Sequence, residues 1–149
     1  MSRVPALIDA VTGRLALDVG LKAVRVTDGP EVSEDKAREW ILVGYDGDPE
    51  GEFQSATTEE DWASLSTSRS ERIELPLTVL VRRGDTDVKA ARVRIYEIAA
   101  VIRAVFRNDP TVGLPGTTAA ITGSTLYQAQ TVEGIQARLL LTVGVETFT

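Results

Sequence analysis

The strongest constraint on this chain is the stretch 85–108, DTDVKAARVRIYEIAAVIRAVFRN. Val88, Ala91, Ile95, Ile98, Ile102 and Val105 recur at alternating steps of three and four, which stacks them along one face of a helix. Asp85, directly after Gly84, is placed to cap the first turn, and Asp87 adds negative charge at the positive end of the helix dipole. Arg103 and Arg107 sit near the other end, and Asn108-Asp109-Pro110 stops the run. The side opposite the stripe is not polar. Ala90, Val93, Ala100, Val101 and Ala104 lie there with Glu97 and the flanking Arg94, whereas Lys89, Arg92, Tyr96, Arg103 and Arg107 gather on one flank. A helix apolar over most of its circumference requires cover on more than one side. Its second cover is either another element of the same chain or a second copy of the protein.

The remainder supplies a sheet for this helix to rest on. Residues 2–19 predict another helix, with Val4, Leu7, Ile8, Val11 and Leu15 on one face, Ser2 as cap, Pro5 tolerated in the first turn and Gly20 as terminator. Residues 21–27 read as a short strand before the turn Asp28-Gly29-Pro30, and 31–39 as a charged loop. WILVGY at 40–45 is apolar on both faces, as in a strand inside a sheet. Residues 53–62 leave room for an extended piece, and 63–70 read as a Ser/Thr-rich loop. Residues 71–83 alternate most clearly, with Ile73, Leu75, Leu77, Val79 and Val81 on one side. Pro76 cannot donate to a ladder, so an edge position or a bulge is expected there. After a turn-rich loop, 117–130 and 135–147 form a hairpin around Glu133-Gly134. The expectation is α+β: one domain over 1–149, with a mainly antiparallel sheet of four to five strands and two helices packed on one face.

Chemistry is constrained by what is missing. The chain has no cysteine and no histidine, which removes disulfides, thiolate nucleophiles, imidazole bases and Cys/His zinc sites together. Carboxylate pairs, Ser-Lys arrangements and carboxylate-bound metals remain. The segment DGDPEGE alternates acids as a calcium loop does and puts Gly51 at the sixth position from Asp46, but Thr57 stands at the twelfth, where a bidentate glutamate is needed. It reads as an acidic turn. Sugar cleavage would need two acids across a cleft with aromatic platforms, and aromatic residues are only 5% of the chain, with Asp61 beside Trp62 the sole suggestive neighbourhood. No catalytic residue, metal ligand or cofactor site is assigned. A net charge of −6 argues against binding a nucleic-acid backbone, and the basic flank of the long helix suits a solvated face before it suits a protein or DNA contact. No apolar run approaches the ~20 residues that span a bilayer, and no basic-then-apolar leader opens the chain, so a soluble protein without an export signal is expected.

Four segments taken in order, VPALIDAV near the start, VGYDGDPEGE at 43–52, GDTDVKAAR at 84–92, and GSTLYQAQT followed by GIQARLLLTVGV, resemble the tail terminator proteins of bacteriophages with long non-contractile tails, particularly those infecting actinobacteria. The resemblance spans nearly the whole chain and contains no catalytic signature. It implies a virion protein, made in the host cytoplasm, that forms a ring, commonly a hexamer, at the head-proximal end of the tail. The ring would end polymerisation of the tube and provide the surface for joining the head. Its implied partners are further copies of itself, the tail tube protein and a head-tail connector protein, with DNA passing through and no sequence-specific binding. Six copies at −6 each sum to −36, which suits passage of DNA if the charges line the channel. Another neck or tail-completion protein is the nearest alternative, and a carboxylate- or metal-dependent enzyme a more distant one. A ring requires two different patches that meet on neighbouring copies. The first candidate patch is the back of the long helix, Val93, Ala100, Val101 and Ala104, where small residues permit close approach. The second is Leu126, Tyr127 and Gln128, where Leu126 and Tyr127 are apolar among amide-bearing neighbours.

Overall fold

The computed structural model describes residues 2–30, 38–62 and 69–148. Along the chain these form α1 (Val4–Leu17), a 3-10 turn (Val19–Leu21), β1 (Arg25–Asp28), β2 (Glu39–Val43), β3 (Thr57–Trp62), β4 (Arg69–Arg82), α2 (Val88–Asn108), β5 (Thr117–Thr131) and β6 (Gly134–Phe148). The class is α+β, as expected. The sheet has six strands instead of four or five, in the order β1-β2-β4-β6-β5, with β3 paired to β4 on the side that β2 also uses. All pairings are antiparallel except β1 with β2, which is parallel, so the sheet is mixed. β3 was the strand hardest to see, because TTEEDW has neither apolar alternation nor turn signals at its ends.

Both helices cover one face. α1 lies over β1 and β2, and α2 over β4, β6 and β5. Leu7, Val11 and Leu15 from α1 join Ile95, Ile98 and Ile102 from α2 and the inward residues of β4 and β6 in one core. Along β6, Ile135, Ala137, Leu139, Leu141, Val143 and Val145 are all buried. At ~25 cal/mol per Å² of apolar surface removed from water, burying each of the valine, leucine and isoleucine side chains contributes on the order of 1.5–3 kcal/mol. The opposite face carries a smaller cluster, Trp40, Leu42, Tyr45 and Leu80.

Several local expectations are corrected. Asp87, not Asp85, caps α2: its carboxylate accepts from the Ala90 N–H at 2.9 Å, and the helix starts at Val88. Asp85 instead accepts the Asp87 N–H at 3.1 Å and pairs with Arg83. α1 ends at Leu17, because Asp18 is extended; Gly20 belongs to the following 3-10 turn, whose first turn Asp18 caps through the Gly20 N–H at 2.8 Å. That turn also occupies the start of the strand expected at 21–27, which shortens to Arg25–Asp28. β2 stops at Val43, before Gly44 at φ 74°. The loops expected at 31–39 and 63–70 fall mostly outside the described residues; Glu39 opens β2, and Arg69 and Ser70 open β4.

Pro76 is neither at a sheet edge nor in a bulge. It pairs with Thr142 of β6 near the middle of the sheet. Its carbonyl accepts from the Gly44 N–H at 2.8 Å, so its nitrogen also points to the β2/β3 side. There β2 ends opposite Leu77 and β3 begins opposite Glu74, so the donor that proline lacks faces the break between two strands.

Candidate functional site

The C-terminal half of α2 and the end of α1 frame an apolar groove of about 670 Å³, lined by Leu17, Val19, Gly20, Ala100, Val101 and Ala104 among others. It arises from how α1 terminates. Asp18 leaves the helix with Leu17 and Val19 pointing outward, 84% and 78% exposed. Gly20 then approaches Val101 so closely that a Cβ there would lie 3.3 Å from Val101 Cγ1. At the groove's end, Arg14 Nη2 meets Asp109 Oδ2 at 2.7 Å, tying the last turn of α1 to the C-cap of α2. Hydrogen bonding from Thr111, with Arg14 adding to it, holds the Asp109 carboxyl below its ordinary range.

The second apolar side of α2 therefore receives two treatments. Val101 is half-buried under the 3-10 turn and against the core, an intramolecular cover. Ala104 is half-buried beside it, while Ala100 stays exposed on the groove floor. Val93, about two turns toward the N-terminus, is 49% exposed and lies outside the groove. The structure thus brings Ala100, Val101 and Ala104 together and leaves Val93 apart.

The residues singled out on β5 separate, because neighbours on a strand face opposite ways. Leu126 points to the helix face and packs against the core. Gln128, on the same face, donates from Nε2 to the Val88 carbonyl at 2.9 Å and accepts from Arg92 at 3.3 Å. Both are engaged within the subunit. Tyr127 lies on the opposite face, 46% exposed, with the Arg138 guanidinium 4.1 Å from its ring centroid.

That opposite face also fastens the acidic segment. Arg138 Nη1 donates to the Asp46 carbonyl at 2.6 Å, and the Thr78 hydroxyl donates to the Tyr45 carbonyl at 2.7 Å. Asp46 and Asp48 accept from the backbone N–H groups of Asp48 and Glu50, folding the acids into successive local turns. Phe53 stacks on Tyr45 with ring centroids 5.6 Å apart. No group of three or more acidic side chains among the described residues is arranged to hold a metal ion, and no helix among them is long and apolar enough to cross a membrane.

Two features escaped the sequence reading. Leu17 and Val19 looked like the ordinary tail of a helix; only the break at Asp18 turns them outward. Glu71 lies at 2% exposure, its Oε1 accepting the Arg3 N–H at 2.8 Å at the start of α1. Only its position in phase with Ile73 and Leu75 hinted that this acid faces inward. The chain matches no protein-family model, and none of the curated proteins is significantly similar to it.

Proposed function

We propose that this chain is a structural virion subunit that closes a ring on the head-proximal end of a phage tail tube, ends tube growth and presents the surface to which the head connects. The observation that carries the proposal is the groove behind α2. Leu17 and Val19 stand out beside Ala100, Val101 and Ala104, a concave apolar surface with small residues on its floor, suited to a protein neighbour. The four segments that resemble tail terminators fall in α1, the acidic turn, the start of α2 and the β5/β6 hairpin, so the likeness covers the elements that shape both faces. In such a ring the groove on one copy receives a different patch from the next, a heterologous contact that propagates until it closes. The tail tube protein and a head-tail connector would then bind the two rims.

The test is a tube-growth assay. Tail tube protein polymerising on its initiator is supplied with the purified chain, and tube lengths are measured by electron microscopy. The proposal expects growth to stop, with the added protein at one end. Tubes that grow unchanged, with the protein bound elsewhere on the particle, would favour another neck component.

A further inference from the structure

β5 runs for 15 residues along one edge of the sheet, TTAAITGSTLYQAQT, without one charged residue or proline. Long free edges are ordinarily blunted by charge, proline or distortion, because their unpaired N–H and C=O groups template the addition of another strand. Here the one irregularity is the bulge between Ile121 and Gly123. The hydrogen-bonding parity shows which groups are free. Ala119 donates outward to the Pro110 carbonyl and is opposite Val145, whereas Ile135 exchanges bonds with Arg83 and Asp85 on the β4 side. Odd residues of β6 therefore turn to β4 and even ones to β5. Beyond the bulge, β5 residues opposite odd positions face away from the sheet: Ser124, Leu126, Gln128 and Gln130. Among the described residues no strand pairs with them.

The flank of this edge is basic. Arg92 reaches Gln128, and Arg103 and Arg107 stand with Thr118 and Ile121 around a cavity of about 480 Å³. None of the three forms an ion pair among the described residues. Across the sheet, β3 is an edge strand of the opposite sign. Among the described residues it is paired only to β4, and it carries Glu59, Glu60 and Asp61 within six residues, with Glu60 3.7 Å from Arg69 of β4. β1, which among the described residues pairs only with β2, is four residues long with one charge of each sign.

We infer that copies of this chain join edge to edge, the 124–130 segment of β5 in one copy pairing with β3 of the next, so that the sheets continue across the subunit boundary. The occupant of the β5 edge is thus a second copy. The backbone pairing supplies affinity, while Arg92, Arg103 and Arg107 opposite the β3 carboxylates select this edge over others. The two edges lie on opposite sides of one sheet, so the contact is heterologous and repeats. This rests on the ring-forming reading above and adds to the groove behind α2 a backbone contact between the same neighbours.

Sedimentation of the full chain at low and high salt tests it. Ser124→Pro removes one outward N–H and leaves the β6 ladder intact, a position where a strand tolerates proline. Its thermal melt stays near that of the wild type, and self-association weakens by roughly five- to a hundredfold, the effect of one unmet hydrogen bond at an interface. The double variants Glu59→Lys/Glu60→Lys and Arg103→Glu/Arg107→Glu each associate poorly alone, and they associate with one another when mixed. A wild type that sediments as a monomer throughout, or a Ser124→Pro variant that assembles like the wild type, overturns the inference. Tube termination is scored separately: arrest of growth by a Ser124→Pro variant that still forms rings sinks the edge contact and leaves the ring reading standing.

Discussion

Arg94 on α2 and Glu39 at the head of β2 form a two-pronged ion pair, Nε to Oε2 at 2.6 Å and Nη2 to Oε1 at 2.9 Å. Residues 55 apart in sequence are thereby clamped, tying α2 to the start of β2. Hydrogen bonding to Glu39, joined by Glu97 at 3.3 Å, raises the guanidinium pKa above its ordinary value. Both side chains are mostly shielded from solvent, so the pair counts for more than a surface bridge. Glu39→Gln is expected to lower unfolding free energy by about 1–2 kcal/mol in urea titrations, with little change in slope.

The β5/β6 turn depends on one glycine. Gly134 has φ 117°, and a Cβ there would come within 2.1 Å of the Arg83 carbonyl oxygen and 2.9 Å of that of Asp85. Both the backbone conformation and the space exclude a side chain. Gly134→Ala should cost at least about 2 kcal/mol, a fall in melting temperature of roughly 5 °C or more in a domain this size. Gly13→Ala on exposed α1 meets nothing within 4 Å and serves as the stabilising control.

Two aspartates are expected to contribute to the acid limb of stability. Asp85 is held below its ordinary pKa by hydrogen bonds from Arg83 and the Asp87 N–H, and Asp109 by Thr111 and Arg14. A depressed folded pKa contributes stability that is complete above the ordinary aspartate value and is lost as pH falls through the folded one. Melting temperature should therefore hold from neutrality to the ordinary aspartate range and fall below it. In Asp85→Asn/Asp109→Asn the neutral value drops slightly and the acid limb flattens. An unchanged acid limb would show that other carboxylates dominate.

The groove yields a separate prediction. Ala100 is exposed, so Ala100→Arg should leave the melt within about 0.5 kcal/mol of wild type, as surface changes do. If the groove meets a neighbouring copy, the same change abolishes higher assembly in sedimentation. Unchanged assembly would remove the back of α2 from the interface.

How much of this was legible follows from periodicity. α2, β4 and the β5/β6 hairpin announced themselves because their buried residues repeat at 3.6 or 2, as Ile95, Ile98 and Ile102 do on the helix. β3 is nearly invisible in the sequence because it pairs with β4 through the backbone and polar side chains, Arg69 with Glu60 among them, with Glu59 and Glu60 exposed. Asp85 and Asp87 are equivalent as caps by composition, and the choice fell to Arg83, which engages Asp85. The back of α2 was correctly read as apolar, but Leu17 and Val19 could not be assigned to it without knowing that α1 ends at Asp18. Leu126 and Tyr127 were grouped by adjacency, which in a strand places them on opposite faces.

The most direct measurement is cryo-electron microscopy of the head-proximal tail end of particles carrying this chain. The account predicts a closed ring of copies of this α+β domain between the last tube layer and the connector, with Ala100 and its groove buried between neighbours. Density for the domain as isolated copies elsewhere on the particle, or a tail end built without it, would contradict it.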